Sequence, residues 1–501
     1  MLEHSETDSQ LRRGQVARAI ERARRPDRQH MEALKRRVPF WFVFVVLFGF
    51  ALLQIVLNPF GFSDLTQRYT QDISNLLVSG PYLYPTTGHG ETSVALVEDE
   101  TLSRLGMPWP WSYGAQARAL DTLLVYKPRA VVVDMMFVDP RKDDTLGELV
   151  DEIARYKRAG VPLYFTGATD RPPGSPPLRA ELAATHARVL DPTILVNDGV
   201  VRQYPVTGDC FDARPSNRVC LSLALQVYKD IYPQAPLVPP DGLMELVWGT
   251  RADASNSKWM RVTDASGKIH DCGNNQGIGL LRRLYLAFFD PSAVRSLCPY
   301  TSVIPAEALL EGRDDTDITS LALNRIVFYG ASLSGVQDKS FTPVNGLIAS
   351  VFVHAMALDN LITFRGNPEQ NVVSLGGFTL DNNTVQAFAI IPIILILTWI
   401  HMRGLRRRRV KPARGAMLEY FAEKALRVAW HWFTFALALA IGLGLTLASG
   451  LSVANWVEVV FVSVALGAML LIGLPDAIWG YLHHIAGGIP HFPAAQEEQG
   501  S

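Results

Sequence analysis

Four uninterrupted apolar stretches constrain this chain more than any other feature. A bilayer core about 30 Å thick is crossed by a helix of about 20 apolar residues. The stretches run Pro39 to Asn58, Val385 to Met402, Ala429 to Ala448 and Asn455 to Leu474. None holds an Asp, Lys or Arg in its interior; Pro392 lies within the second and Glu458 in the first turn of the fourth. Composition agrees: 48% of residues are hydrophobic, only 19% are charged, and mean hydropathy is +0.12. A soluble domain carries about 25% charged residues. The first stretch reads as an uncleaved anchor, because 38 residues precede it and no small-residue cleavage site follows. Glu458, near the outer end of its helix, is expected to reach water.

Basic residues set the direction of the spans. Residues 1–38 hold ten Lys or Arg, and the loop 403–427 holds nine, including Arg406, Arg407, Arg408 and Arg409. Both flanks are expected in the cytoplasm. The third and fourth spans then form a hairpin turning near Ser449 to Asn455, and 476–501 becomes a cytoplasmic tail. Arginines beside a span set topology and meet anionic headgroups. With 47 basic against 48 acidic side chains, the net charge of -1 excludes a globally basic nucleic-acid binder. Residues 11–25 and 416–428 have the pattern of amphipathic helices that lie on a membrane surface or dock a partner.

Residues 60–384 are then expected outside the cytoplasm, as a periplasmic domain anchored in a bacterial inner membrane. Cysteine placement bears on this independently. Cys210, Cys220, Cys272 and Cys298 all fall within that segment. An even count confined to an exported region points to disulfides. Three connectivities exist, and short loops close most easily, which favours Cys210–Cys220 and Cys272–Cys298. No C-x-x-C and no suitably spaced His accompanies them, so no metal is expected.

Within the segment, strand-like and helix-like stretches alternate. Ser93 to Asp99, Arg129 to Phe137, Val161 to Ala168 and Arg325 to Ser332 are apolar runs suited to strands buried on both faces. Helical periodicity marks 112–127, 145–158 and 348–363. The fold class expected is α/β with a mixed, largely parallel sheet, plus four transmembrane helices. Asp198-Gly199 lies between two β-rich runs and reads as a hairpin turn, since Gly accepts positive φ freely. The hairpin is what makes the sheet mixed. The stretch 230–272, rich in Pro, Gly and Asp, reads as loops.

The order of several motifs resembles the second type of CHASE domain, an extracellular sensory module associated with cyclases and histidine kinases. The matching residues are Trp109, Pro110 and Trp111; Asp134 and Phe137; Asp198, Gly199 and Arg202; then Gly330, Ala331, Asp338, Pro343, His354 and Ala355. The likeness covers roughly residues 65–365 and extends to the layout, in which three spans follow the domain. It implies a sensory role. Two local departures exist. Ser112 stands where the family often has Arg after Trp-Pro-Trp, and the spacing from Gly346 to His354 is longer than usual. Members of the family this chain resembles usually carry a kinase, nucleotide cyclase or diguanylate cyclase after the last span. Here 26 residues follow it, from Asp476 to Ser501, so output is expected to pass through a separate cytoplasmic signalling protein. That protein and the lipid bilayer are the partners expected, with self-association left open.

Acids gather where strands should end: Asp99, Asp134, Asp139 and Asp338. Ligands of open α/β sheets bind beyond the carboxyl ends of strands. Asp99, Asp134, Asp338 and His354 are therefore the candidate ligand-binding residues, for a cation or a small polar solute. The same acids can instead cap turns and helices, and His354 can be a satisfied core histidine. No nucleophile elbow, zinc-protease motif or P-loop appears, so no catalytic residue and no cofactor is expected. Two functions fit: a sensor passing a signal through its spans, and a scaffold subunit of an envelope complex that senses nothing.

Overall fold

The computed structural model describes residues 38–407 and 456–487, apart from 60, 169–175, 212–218, 237–241, 264–268, 273–279, 313–315, 337, 367–371 and 376–377, together with isolated positions between 425 and 440. The expected span Ala429–Ala448, both amphipathic basic stretches and the N-terminal basic segment lie, but for those isolated positions and Val38, outside the described residues.

Two compact units divide the chain, one holding residues 68–373 and the other the helices on either side of them in sequence. The first is built on a six-stranded sheet. Its strands, in chain order, are β1 (Thr92–Glu98), β2 (Ala130–Val133), β3 (Leu163–Thr166), β4 (Arg188–Leu190), β5 (Ser302–Pro305) and β6 (Ile326–Ser332). Their spatial order is β5-β1-β6-β2-β3-β4, and every pairing is parallel. The last strand to be made is thus threaded between the first two. Parallel strands with helices on both faces are apolar throughout, which is why these strands stand out as continuous apolar runs.

Alternate residues serve opposite faces. Val97, Val133, Phe165, Ile304 and Tyr329 share one core with Leu120, Ile153, Tyr156 and Leu309 of the helices α1 (Tyr113–Val125), α2 (Leu146–Ala159) and α3 (Ala306–Glu311). The opposite face carries α4 (Ser350–Thr363), which packs on β1 and β6. Gly330 is required there, because a Cβ would sit 2.9 Å from the Val351 side chain. The N-terminus of α1 is closed by side chains: the backbone N–H groups of Tyr113, Gly114 and Ala115 donate to Asp143, Thr145 and Ser112.

The largely parallel sheet is as expected, but the hairpin does not make it mixed. Asp198 (φ 53°) and Gly199 (φ 76°) do form a tight turn, closed by the pair Asn197 and Val200. Beyond that pair the flanking runs separate. Gln203–Pro205 instead pairs antiparallel with Leu243–Glu245 in a two-stranded ribbon apart from the main sheet. The favoured cysteine pairs are the observed ones, Cys210–Cys220 and Cys272–Cys298, with Cα atoms 5.3 and 5.4 Å apart.

In the second unit, helices Phe40–Leu57 and Thr384–Arg403 are long and apolar enough to cross a membrane. Val43, Leu47, Ala51 and Ile55 of the first meet Ile390, Ile393, Ile394 and Leu397 of the second, and Val459, Val462 and Leu466 join them. These spacings of three and four residues place one stripe of each helix in the bundle. Of the four expected spans, the third lies almost wholly outside the described residues. Among the described residues there are two, or three if Val457–Leu471 and Leu474–Leu482 count as one span bent by 58°. The bend falls at Gly473 (φ 71°) and Pro475. The expected tail therefore opens as a helix, Leu474–Gly487. Its Trp479 lies 4.7 Å from Phe42, ring to ring. Asp476 and two histidines hide this apolar face from a hydropathy count. Glu458 does not reach water: it is 2% exposed, because four-residue spacing sets it on the same stripe as Val462 and Leu466.

Candidate functional site

The carboxyl edge of the sheet, where β6 separates β1 from β2, is a topological switch point. Asp134 follows β2 directly, and its N–H bonds to Tyr329 O at 2.8 Å, extending the ladder. Asp338 lies beyond β6, at the start of the ribbon Lys339–Thr342 and Gly346–Ala349 that leads into α4. The Ser350 N–H donates to Asp338 O at 3.2 Å. His354, one turn further along α4, brings Nε2 to 3.9 Å from Asp134 Oδ2. Three of the four candidate ligand residues thus converge from three elements.

Asp99 stands elsewhere. It is exposed at the start of the helix after β1, where its Oδ2 accepts from the Ser334 N–H at 3.0 Å and from the Ser334 hydroxyl. That contact fastens the loop after β6 to the end of β1. Asp99 acts as a loop clip, with no hydrogen bond or ion pair to Asp134, Asp338 or His354 among the described residues.

Among the described residues no Lys or Arg forms an ion pair with Asp134 or Asp338. Asp134 has a side chain 8% exposed, and its Oδ2 has no hydrogen-bond partner among the described residues. Burial, reinforced by the nearby Asp338 charge, holds the Asp134 carboxyl well above its ordinary range. Asp338 is raised by burial too, with the Ser350 hydroxyl pulling the other way. Burial drives His354 down to about 3, so its imidazole is neutral. Tyr204 Oη accepts the Ala224 N–H at 3.3 Å and lies 2.7 Å from His354 Nδ1. That contact fixes the ring with Nε2 on the Asp134 side. His354 forms one wall of the acidic site, held by its Nδ1 contact to Tyr204.

Tyr204 was not among the sequence candidates. Its signal was its position two residues past Arg202 in an extended run, which puts both on one face of the strand. Arg202 makes a two-pronged ion pair to Asp72, both oxygens at 2.9 Å. Asp72 belongs to helix Phe62–Ser74, the first helix after the Phe40–Leu57 span. The same helix pairs Arg68 with Asp198, and its Gln71 donates to Glu245 at 2.6 Å. The Asp-Gly-Val-x-Arg motif is therefore a clamp on the entry helix. Glu98, at the end of β1, was also missed; burial and the charges of Glu307, Glu100 and Asp99 raise it to about 7.

The other motif residues pack. Trp111 is buried against Trp109 across a cis Pro110, ring centroids 6.2 Å apart. Phe137 lies between Tyr113 and Phe165. Ala331 and Ala355 are core residues, and the Pro343 carbonyl accepts from Arg295 at 3.2 Å. No group of three or more His, Cys, Asp or Glu among the described residues has metal-holding geometry.

Neither a curated protein nor a solved structure matches the chain. A family model described as the CHASE2 domain matches residues 40–397. The match takes in the first apolar helix, the α/β unit and most of the second apolar helix. It covers well over half of the 501 residues, and the chain belongs to the CHASE2 domain family.

Proposed function

We propose that this protein is a membrane-anchored sensor. Its α/β unit lies outside the cytoplasm, takes up a small hydrogen-bonding solute at Asp134, Asp338 and His354, and passes the change inward through the flanking helices to a separate cytoplasmic signalling protein. The family supports the sensory role. Two disulfide pairs and the basic flanks support an exported domain in a bacterial inner membrane.

One observation carries the reading: the acidic site and the entry helix share a strand. Tyr204 touches His354 of the site, and Arg202, two residues earlier, grips Asp72. A solute that meets the bare Asp134 oxygen competes for the space facing His354. Any shift of that ring moves Tyr204 and, through the strand, the Arg202 clamp. A solute shifts a population only by its differential affinity for the two arrangements, and the clamp supplies two: engaged and released.

The test uses the full chain in detergent or nanodiscs. Its melting temperature is measured against a panel of inorganic monovalent cations, protonated amines and amino acids. A rise with one member that disappears in Asp134→Asn supports sensing. No response from any member, together with a stoichiometric complex whose stability ignores solutes, would replace the sensor with a scaffold.

A further inference from the structure

A second buried carboxyl lies in the same α/β unit, at the end of the sheet opposite the acidic site. Asp359, near the C-terminus of α4, is 0% exposed. Its Oδ1 accepts from Tyr84 Oη at 2.5 Å and from Thr363 Oγ1 at 3.1 Å, while Oδ2 has no hydrogen-bond partner among the described residues. Asn360 Nδ2 donates to Tyr84 Oη at 3.0 Å. The Gly88 N–H donates to Thr363 Oγ1 at 3.2 Å, and Gly88 comes so close that a Cβ would sit 2.5 Å from Asp359 O. The connection from Tyr84 to Thr92 is thus fastened to α4 through one carboxyl group. That connection leads in from the first apolar helix, and α4 leads out toward the second.

We propose that Asp359 is a proton-operated latch between the incoming and outgoing segments of the domain, closed when its carboxyl is neutral and loosened when it ionises. The geometry gives the reason. An ionised carboxylate here would keep two donors on one oxygen and leave the other buried and bare, which is costly. The groups facing it do not compensate. Tyr84 and Tyr300 are neutral phenols. Glu91 adds negative charge and is itself held by Arg129 at 3.0 Å. His89 is engaged by Asp253 at 3.1 Å. Arg251 acts on Tyr300 rather than on Asp359. Burial raises Asp359 to about 7; hydrogen bonds from Tyr84 and Thr363 and the field of His89 pull against it, and Glu91 adds to it.

The sign follows from proton binding. Between the ordinary carboxylate value near 4 and about 7, the packed form holds a proton that the opened form gives up. Packing is therefore firmest in acid and weakens as pH rises through that window. The equilibrium constant for opening should grow roughly fifty-fold from pH 5 to pH 7.

The experiment is hydrogen–deuterium exchange on the full chain in nanodiscs from pH 5 to 8, with rates corrected for intrinsic exchange chemistry. Corrected protection of amides 86–92 and 359–364 should fall about fifty-fold between pH 5 and 7, and should be flat in Asp359→Asn. Tyr84→Phe removes a donor to the ionised form, so it should move the fall to higher pH; this variant decides the matter if Asp359→Asn does not fold. Glu98→Gln should leave the fall in place. Flat protection in the unaltered protein, an unchanged fall in Asp359→Asn, or a Tyr84→Phe shift to lower pH would each overturn the latch.

Discussion

Removing the two disulfides one at a time gives a quantitative test of the exported unit. The pairs close loops of different size, with sequence separations of 10 for Cys210–Cys220 and 26 for Cys272–Cys298. A cross-link stabilises mainly by restricting the unfolded chain, more so for the longer loop. Loop-closure entropy gives about 2.7 kcal/mol for the shorter and about 3.5 kcal/mol for the longer. Unfolding entropy of about 2.1 cal/mol/K per residue, over roughly 300 residues, converts these into falls of about 4 and 5.5 °C in melting temperature. Cys272 and Cys298 are both buried, so Cys→Ala replacement adds a small packing loss on that side and widens the gap. The loops do not overlap in sequence, so the combined variant should lose the sum, about 6 kcal/mol. The assay is thermal or urea unfolding of the membrane-extracted protein, followed by near-ultraviolet circular dichroism. If Cys210→Ala/Cys220→Ala costs more than Cys272→Ala/Cys298→Ala, the entropy argument fails. If neither pair matters, the bonds do not form in the cell, and the oxidising location goes with them.

Three further outcomes are expected. Gly330→Ala drives a methyl against Val351 and should destabilise the domain by about 1–3 kcal/mol, read from the same unfolding curves. Tyr204→Phe strips a partner from both His354 Nδ1 and the Ala224 N–H and should cost about 1–3 kcal/mol, whereas Phe137→Tyr, which leaves that pair intact, should not reproduce a change in solute response. Glu98 titrates near 7 in the folded protein against an ordinary value of 4.5, so its contribution falls as pH rises between those values; Glu98→Gln should flatten that part of the stability–pH curve, and an unaltered curve would show that Glu98 is not the group responsible.

The sequence made some of this legible, for identifiable reasons. Strands such as Val94 to Val97 and Ala130 to Val133 are buried on both faces, so nothing polar interrupts them. The cysteine pairs follow from loop length alone. Asp134, Asp338 and His354 were visible as polar residues at the ends or within the faces of apolar elements. What stayed hidden depends on which elements meet. Tyr204 looks like any strand tyrosine until α4 crosses it. Asp359, within Ala-Leu-Asp-Asn, looks like the polar stripe of a helix, yet α4 is buried nearly all round. The reach of the hairpin was misjudged because Asp198 and Arg202 look like turn and strand residues, although their side chains are committed to the entry helix. Helix Leu474–Gly487 was missed because Asp476 breaks the apolar count without breaking the apolar face.

The placement of β6 has a consequence for biogenesis. Among the described strands β1 pairs only with β5 and β6, partners made about 200 residues later. Until Ile326–Ser332 leaves the ribosome, the early half of the unit holds open sheet edges with nothing to seal them. Maturation must then wait for nearly the whole unit, and any interruption of synthesis before that strand would leave sticky fragments for proteases to clear.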